Sequence, residues 1–282
     1  MKKRQRKVRL IRAAIQLAFF IFYPALFSTA FAGVKSIFQA IAAHQQIAWN
    51  SFLDVTGLLL LVTILFGRHF CGYACAFGSL GDAMYELTVF IKQKVFHKKG
   101  RHGYPEKAVR ILQKVKYILL AFLLLSILTE WYASLQGMSP WDVFSMLHAG
   151  NFRLSSYIPG IVLLVLILVG MFFEERFFCR FLCPMGAVFS LLPILPFFTL
   201  HRKRENCIRG CSACTRQCPS AVELPSDGYV EISGDCFQCQ KCIDTCPKGN
   251  IRCGVKEFHG NEILFTLFRA VFLLTLLLWA GI

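Results

Sequence analysis

The sequence predicts an α-helical, polytopic membrane protein with one small, cysteine-rich α+β domain, and three observations predict it. Five apolar stretches are long enough, or nearly so, to cross roughly 30 Å of hydrocarbon as helices. Those stretches put 28 of the 31 Lys and Arg residues on one side of the membrane. Eight of the 13 cysteines crowd into residues 207–246.

Composition points the same way. Hydrophobic residues make up 56% of the chain, 28 of its 282 residues are Phe, and the mean hydropathy is +0.53. This is more apolar surface than one water-soluble core needs, so a bilayer must solvate part of it. The stretches fall at about 13–33, 52–67, 117–135, 157–173 and 263–282. The second is short and extends toward Phe70. A further run, Ala187 to Leu200, contains Pro193 and Pro196 and reads as a broken or interfacial segment, because proline removes a helical N–H.

The basic residues set the expected orientation. Residues 1–12 hold seven (Lys2, Lys3, Arg4, Arg6, Lys7, Arg9 and Arg12), residues 68–116 hold ten and residues 174–262 hold eleven. The intervening loops carry Lys35 and Arg153 alone. By the positive-inside rule the N-terminus, the 68–116 loop and the 174–262 region face the cytoplasm of a multi-pass inner (cytoplasmic) membrane protein. The net charge of +15 is then a topology signal with lipid as the partner, and nucleic acid has nothing left to explain. The basic start and the run ending in Ala30-Phe31-Ala32 also resemble a cleavable signal peptide; cleavage there leaves the rest oriented the same way. Arg269, near the cytoplasmic end of the last stretch, is expected to snorkel to the headgroups.

An internal repeat is visible. Arg68-His69-Phe70-Cys71, followed by Cys75 and Gly78, matches Arg176-Phe177-Phe178-Cys179, followed by Cys183 and Gly186. The shared pattern is R-x-F-C-x3-C-x2-G at an offset of 108 residues, and each copy follows a pair of apolar stretches. The chain therefore divides into a first transmembrane hairpin (1–112), a second (113–200), a cysteine-rich domain (201–258) and a C-terminal transmembrane helix (259–282).

The domain carries the strongest motifs. Residues 207–218 read C-I-R-G-C-S-A-C-T-R-Q-C before Pro219, and residues 236–246 read C-F-Q-C-Q-K-C-I-D-T-C before Pro247. The second is the full bacterial-ferredoxin run C-x2-C-x2-C-x3-C-P; the first has one extra residue, at a place where Gly210 can absorb it. Three thiolates at such spacing wrap a short loop around one face of a cubane, and the fourth cysteine ligates the other cluster. This assigns Cys207, Cys211, Cys214 and Cys246 to one [4Fe–4S] cluster, and Cys236, Cys239, Cys242 and Cys218 to a second. Two structural zinc sites are the alternative, but zinc normally draws two cysteines from each arm, and each arm here has four and ends in Cys-Pro. Cys253 stands outside the pattern and reads as a packed thiol. Between the motifs, Val222 to Ser233 suggests a turn and a short strand, so the expected fold is a small cytoplasmic α+β two-cluster bacterial-ferredoxin-like domain. Its core is too small to stabilise it without cluster ligation.

The order of paired spans with C-x3-C, paired spans with C-x3-C-P, then a two-cluster domain resembles the NapH/NosR/YccM-type family of polytopic membrane ferredoxins, up to about residue 255. The resemblance implies electron transfer between the quinone pool or a membrane redox partner and another redox protein. It carries the ferredoxin ligands onto the eight cysteines above, and the C-x3-C-P cysteines onto Cys71, Cys75, Cys179 and Cys183. The chain departs from the pattern at Ala76, where the first C-x3-C would have its proline, and in its fifth span.

On a helix, a C-x3-C pair places both sulfurs on one face, one turn apart. Cys71, Cys75, Cys179 and Cys183 are thus candidates for an additional metal or cluster site, or for a dithiol relay. The plain alternative is that the pairs pack span ends while Arg68 and Arg176 face headgroups; the arginines could instead stabilise thiolates or cluster charge. His44, His69, His97, His102, His148, His201 and His259 all lie in loops or at span ends, where they cannot serve as axial ligands of an embedded b-type haem. No Walker loop, dinucleotide fingerprint or catalytic triad is present, so no catalytic residue is assigned. The expected function is electron transfer, as a component of an oxidoreductase system, from a membrane donor (quinol or flavoprotein) to a soluble or membrane acceptor. The competing classes are an iron–sulfur redox sensor or maturation factor, and a membrane metal-ion reductase.

Overall fold

The computed structural model describes residues 2–95, 106–152, 155–195, 199–224, 227–230, 233–255, 258–259 and 262–281. His97, His102, Arg153, Pro196 and residues 225–226 and 231–232 of the segment between the motifs lie outside the described residues. So do Lys98, Lys99, Arg101 and Lys256 of the basic residues used for orientation.

The chain is mostly helical. Among the described residues three helices are long and apolar enough to cross a membrane: Ala108–Leu128, Ser155–Phe173 and Glu262–Trp279. Side chains such as Ile118, Leu125, Leu166, Leu264 and Leu278 stand exposed on them, as lipid-facing positions would. The stretch expected over 117–135 ends early, at Leu128. Glu130 adopts φ 59° there, a left-handed stop that satisfies the last carbonyls, and Tyr132–Leu135 forms a separate short turn. Ser51–Phe66 is apolar but only 16 residues long and stops at Gly67, whose φ of 68° glycine adopts without strain. The stretch expected over 13–33 is not one helix. It consists of Lys2–Phe22 and Leu26–Ala42, separated at Pro24, and only this bent pair taken together is long enough to count as a span.

By compactness the chain forms two units that cut across chain order. One comprises Phe20–Gly57 and Cys75–Val188. Its helices close on an aromatic core in which Phe77 lies 4.8 Å from Phe178 and 5.7 Å from Phe27, with Trp141 against Phe27 and Phe31. Helix Leu26–Ala42 meets Ser51–Phe66 at Gly33, where a Cβ would fall 2.0 Å from Thr56 Oγ1; that hydroxyl donates to the Ala30 carbonyl at 2.9 Å. Small residues at a crossing let apolar helices approach this closely. Helix Pro140–His148 starts from Ser139, whose hydroxyl accepts the Asp142 N–H at 3.2 Å, with proline in the first turn.

The other unit comprises Met1–Phe19, Leu58–Ala74 and Phe189–Ile282. The run after helix Pro184–Leu191 is broken as expected: it leaves the helix, donates from Leu195 N–H to the Ile64 carbonyl, and enters a strand at Thr199. Four strands, β1 (Thr199–Lys203), β2 (Asp227–Val230), β3 (Ile251–Val255) and β4 (Phe258–His259), form an antiparallel sheet in the order β2-β1-β3-β4. Leu200 pairs with Cys253 and Arg202 with Ile251. Leu200, Leu224, Cys236, Ile251 and Cys253 make a small core, against which Cys214, Cys242 and Cys246 pack. The C-terminal helix Glu262–Trp279 lies beside it, with Phe268 and Phe272 against Phe66.

Candidate iron–sulfur site

The eight motif cysteines line two adjoining hollows. Cys207, Cys211, Cys214 and Cys246 line one, with Arg202, Lys248 and Asn250. Cys218, Cys236, Cys239 and Cys242 line the other, which Cys214 also borders, with Leu224 and Phe237. Among the described residues no three His, Cys, Asp or Glu side chains close on a point as ligands of one metal ion would.

Local chemistry explains the crossed arrangement. Helices Ala213–Gln217 and Lys241–Thr245 pack against each other, and each ends on its fourth cysteine. Cys218 and Cys246 are extended, at φ −74°, ψ 120° and φ −68°, ψ 115°. Pro219 and Pro247 enforce this, since a residue before proline is driven out of the helical region. Each fourth cysteine therefore turns away from its own helix. In the loops Gly210 takes φ 73°, Gln238 52° and Gln240 61°, and left-handed glutamines mark a backbone bent by its surroundings.

The donor set fits iron–sulfur clusters. Burial, and then Cys239, Cys218, Cys236 and Cys214 around it, push the Cys242 thiol well above its usual range, so these sulfurs need a cationic centre to ionise together. Donors already face the sulfurs: Arg202 Nη1 lies 3.3 Å from Cys214 Sγ, Asn250 Nδ2 3.3 Å from Cys207 Sγ, and Asn250 N–H 3.3 Å from Cys246 Sγ.

The first copy of the repeat docks on the second cysteine loop. At Gly72 a Cβ would fall 2.4 Å from the Phe237 carbonyl oxygen, so only glycine fits. The Tyr73 hydroxyl and Arg12 Nη1 donate to the Cys239 carbonyl at 3.5 and 3.4 Å, and Gln16 donates to the Gly72 carbonyl at 3.2 Å. Arg68 sits 4.6 Å from the Phe237 ring and donates to the Gly234 carbonyl at 3.4 Å, 3.8 Å from Asp235 Oδ1. Cys71 is the residue before Gly72 in this contact.

Cys71, Cys75, Cys179 and Cys183 are all buried, but neither pair lies on one helix. Cys71 is in His69–Tyr73 and Cys179 in Phe177–Phe181, while Cys75 and Cys183 occupy the breaks before Ala76–Val95 and Pro184–Leu191. Cys183 Sγ accepts the Gly186 N–H at 3.0 Å, as an N-cap does. Pro184 is then the first helical residue, where no N–H is needed. Ala76 fills the same position, so the missing proline leaves the local structure intact. Neither arginine of the repeat faces headgroups: Arg68 is 1% and Arg176 0% exposed, and Arg176 pairs with Asp82. Nor does Arg269 snorkel; it is fully buried and its Nη2 lies 2.6 Å from Cys253 Sγ. Burial raises that thiol, and the guanidinium opposes the rise. Arg176, three residues past an apolar stretch, and Arg269, within one, are charges that burial obliges to find a partner.

A family model described as a 4Fe–4S binding domain matches residues 52–97 and 158–199, the two copies of the repeat with Cys71, Cys75, Cys179 and Cys183. The putative electron transport protein YccM of Escherichia coli is 28% identical over 192 residues, covering 67% of this chain and 51% of YccM. The ferredoxin-type protein NapH of Haemophilus influenzae is 23% identical over 233 residues, covering 79% and 75%. The chain is similar over most of its length to membrane proteins of the NapH, NosR and YccM kind. An uncharacterized protein of Methanocaldococcus jannaschii is 27% identical over 244 residues and matches over 86% of this chain and 94% of its own. No solved structure matches significantly. The matched family model supports iron–sulfur binding, and YccM is named as an electron transport protein. The family match falls on the repeat and contains none of the eight ferredoxin-motif cysteines.

Proposed function

We propose that this protein is a membrane electron conduit with two [4Fe–4S] clusters, passing electrons between a membrane donor (quinol or flavoprotein) and a redox partner. One cluster is held by Cys207, Cys211, Cys214 and Cys246, the other by Cys236, Cys239, Cys242 and Cys218. When bound, each cluster supplies one-electron redox chemistry at the potential its surroundings set. The chain's residues hold the thiolates and aim Arg202 and Asn250 at sulfurs, and such hydrogen bonds stabilise the more negative, reduced state. Cys214, Cys242 and Cys246 pack, partly buried, against the small core. The domain and the N-terminus face the cytoplasm in this reading, and Cys71 and Cys75, with Cys179 and Cys183, are a relay or a further metal site near the membrane.

The observation that carries the reading is the crossed lining of the two hollows. Each is lined by three cysteines of one motif and the fourth of the other, with Cys214 also bordering the second, as two cubanes sharing two motifs require. Names of relatives add support: one is a putative electron transport protein and one is ferredoxin-type. The test is anaerobic purification, iron and acid-labile sulfide analysis, and EPR after adding a quinol, a reduced flavoprotein or dithionite. About eight irons and eight sulfides, reducible by a membrane donor, are expected. Stoichiometric zinc without sulfide would overturn the reading.

A further inference from the structure

The two cysteine loops differ in what covers them. Around the 236–246 loop Phe237, Gln238, Gln240 and Lys241 are buried, and the chain's own Gly67–Tyr73 segment, Arg12 and Thr266 lie on it. The 207–218 loop is open: Ile208 is 49% exposed on the turn that Cys211 N–H closes onto its carbonyl, and Arg209 and Gly210 form the tip of that turn.

The open rim is basic on balance. Lys203, Arg209, Arg216 and Lys248 are all exposed. Arg209 lies between Cys207 and Cys211, Arg216 between Cys214 and Cys218, and Lys248 lines the hollow itself. Glu205 and Glu223 are exposed nearby and Asp244 is half-buried, so the balance stays positive. Among the described residues none of the four bases is held in an ion pair. Proximity to a span end does not account for Lys203, Arg209 and Arg216, whereas Lys248, 14 residues before Glu262, lies within its reach. The positive-inside rule acts within about 15–20 residues of a span end. Lys203, Arg209 and Arg216 lie at least 30 residues after Phe173 and at least 46 before Glu262.

We infer that this basic rim is the docking surface for an acidic, water-soluble one-electron carrier, which exchanges electrons at the Cys207/Cys211/Cys214/Cys246 cluster, while the covered cluster serves the membrane side. The inference rests on the two-cluster reading above. The step is a single electron passing from the reduced cluster to an oxidised carrier, or the reverse, with no bond made or broken. Opposite charge across the contact raises the encounter rate and fixes which cluster is approached.

The test uses the full-length, cluster-loaded protein in detergent with one carrier in two charge states: native cytochrome c, which is basic, and its succinylated, acidic form. Binding is measured by sedimentation at low salt, and one-electron reduction of the ferric haem is followed separately. The acidic form should bind at least about tenfold tighter, with the advantage lost as salt rises from about 20 to about 200 mM. Arg209→Glu with Arg216→Glu should abolish that preference, while Lys92→Glu with Lys94→Glu, outside the domain, should keep it. Reoxidation by an uncharged benzoquinone should be the same in every variant. Equal binding of the two cytochromes, or equal loss in both double variants, would overturn the docking surface. So would loss of binding to phosphatidylglycerol vesicles, in place of cytochrome, on reversing Arg209 and Arg216. Iron and sulfide measured on the same samples separate this failure from failure of the two-cluster reading.

Discussion

Arg176 donates twice to Asp82, through Nε to Oδ1 at 2.9 Å and through Nη2 to Oδ2 at 2.6 Å, and both side chains are buried. The arginine opens the second copy of the repeat; the aspartate lies seven residues past Cys75 of the first. Arg176 is held at φ 54°, which a bidentate grip can sustain. At the 108-residue offset the position matching Asp82 is Ser190, and the matching arginine, Arg68, turns instead to Gly234 and Asp235 of the cysteine-rich domain. Two near-identical motifs therefore hold different things.

Asp82→Ala should leave a buried guanidinium unpaired and cost about 3–5 kcal/mol. Thermal unfolding in detergent reads it. Asp82→Leu combined with Arg176→Met should cost far less, because both charges leave together. Similar costs for the two would show that the pair contributes only side-chain volume.

Cys239→Ser should reduce the iron content from about eight to about four per chain and alter the EPR of the neighbouring cluster. Full iron retention in this variant would remove Cys239 from the ligand set.

Arg202→Met should lower the midpoint potential of the cluster bound by Cys214. The guanidinium hydrogen-bonds that sulfur and its charge favours the reduced state, so its loss should shift the potential by on the order of 50 mV. An EPR-monitored redox titration measures this; an unchanged or raised potential contradicts it.

Cys183→Ser should retain stability and Cys183→Ala should lose about 1 kcal/mol, because a hydroxyl can replace the sulfur that caps Gly186. Both should slow cluster reduction by a membrane donor if the thiol is a relay or a ligand. Normal reduction kinetics in both, with the stability difference present, would leave the cysteine as a cap alone. Cys71→Ser, beside the loop of Cys239, provides the parallel measurement in the first copy.

A reporter fused after Gly249 should be active only in its cytoplasmic form, and one inserted near Gly150 only in its external form, because the basic residues sort to one side. The opposite pattern would reverse the orientation.

The sequence alone determined what short-range chemistry controls. Cysteine spacing is local, so the two groups of cysteines that line the two hollows could be written down from C-x2-C runs, and the extended backbone of Cys218 and Cys246 follows from the prolines that come next. Hydropathy over about 20 residues located the apolar helices, because a bilayer imposes that length. Reading C-x3-C as one helical face failed although the signal was present: Cys-Pro-x-Gly is a helix start, and Cys183 caps one. Only the tertiary structure decided the partners of Arg176, Arg68 and Arg269, and which cysteine loop the chain covers. Those outcomes join residues more than ten and up to about 230 positions apart, as Arg269 with Cys253 and Arg12 with Cys239. A buried charge takes whichever counter-group the packing brings within 3–4 Å, and neither periodicity nor spacing encodes that distance.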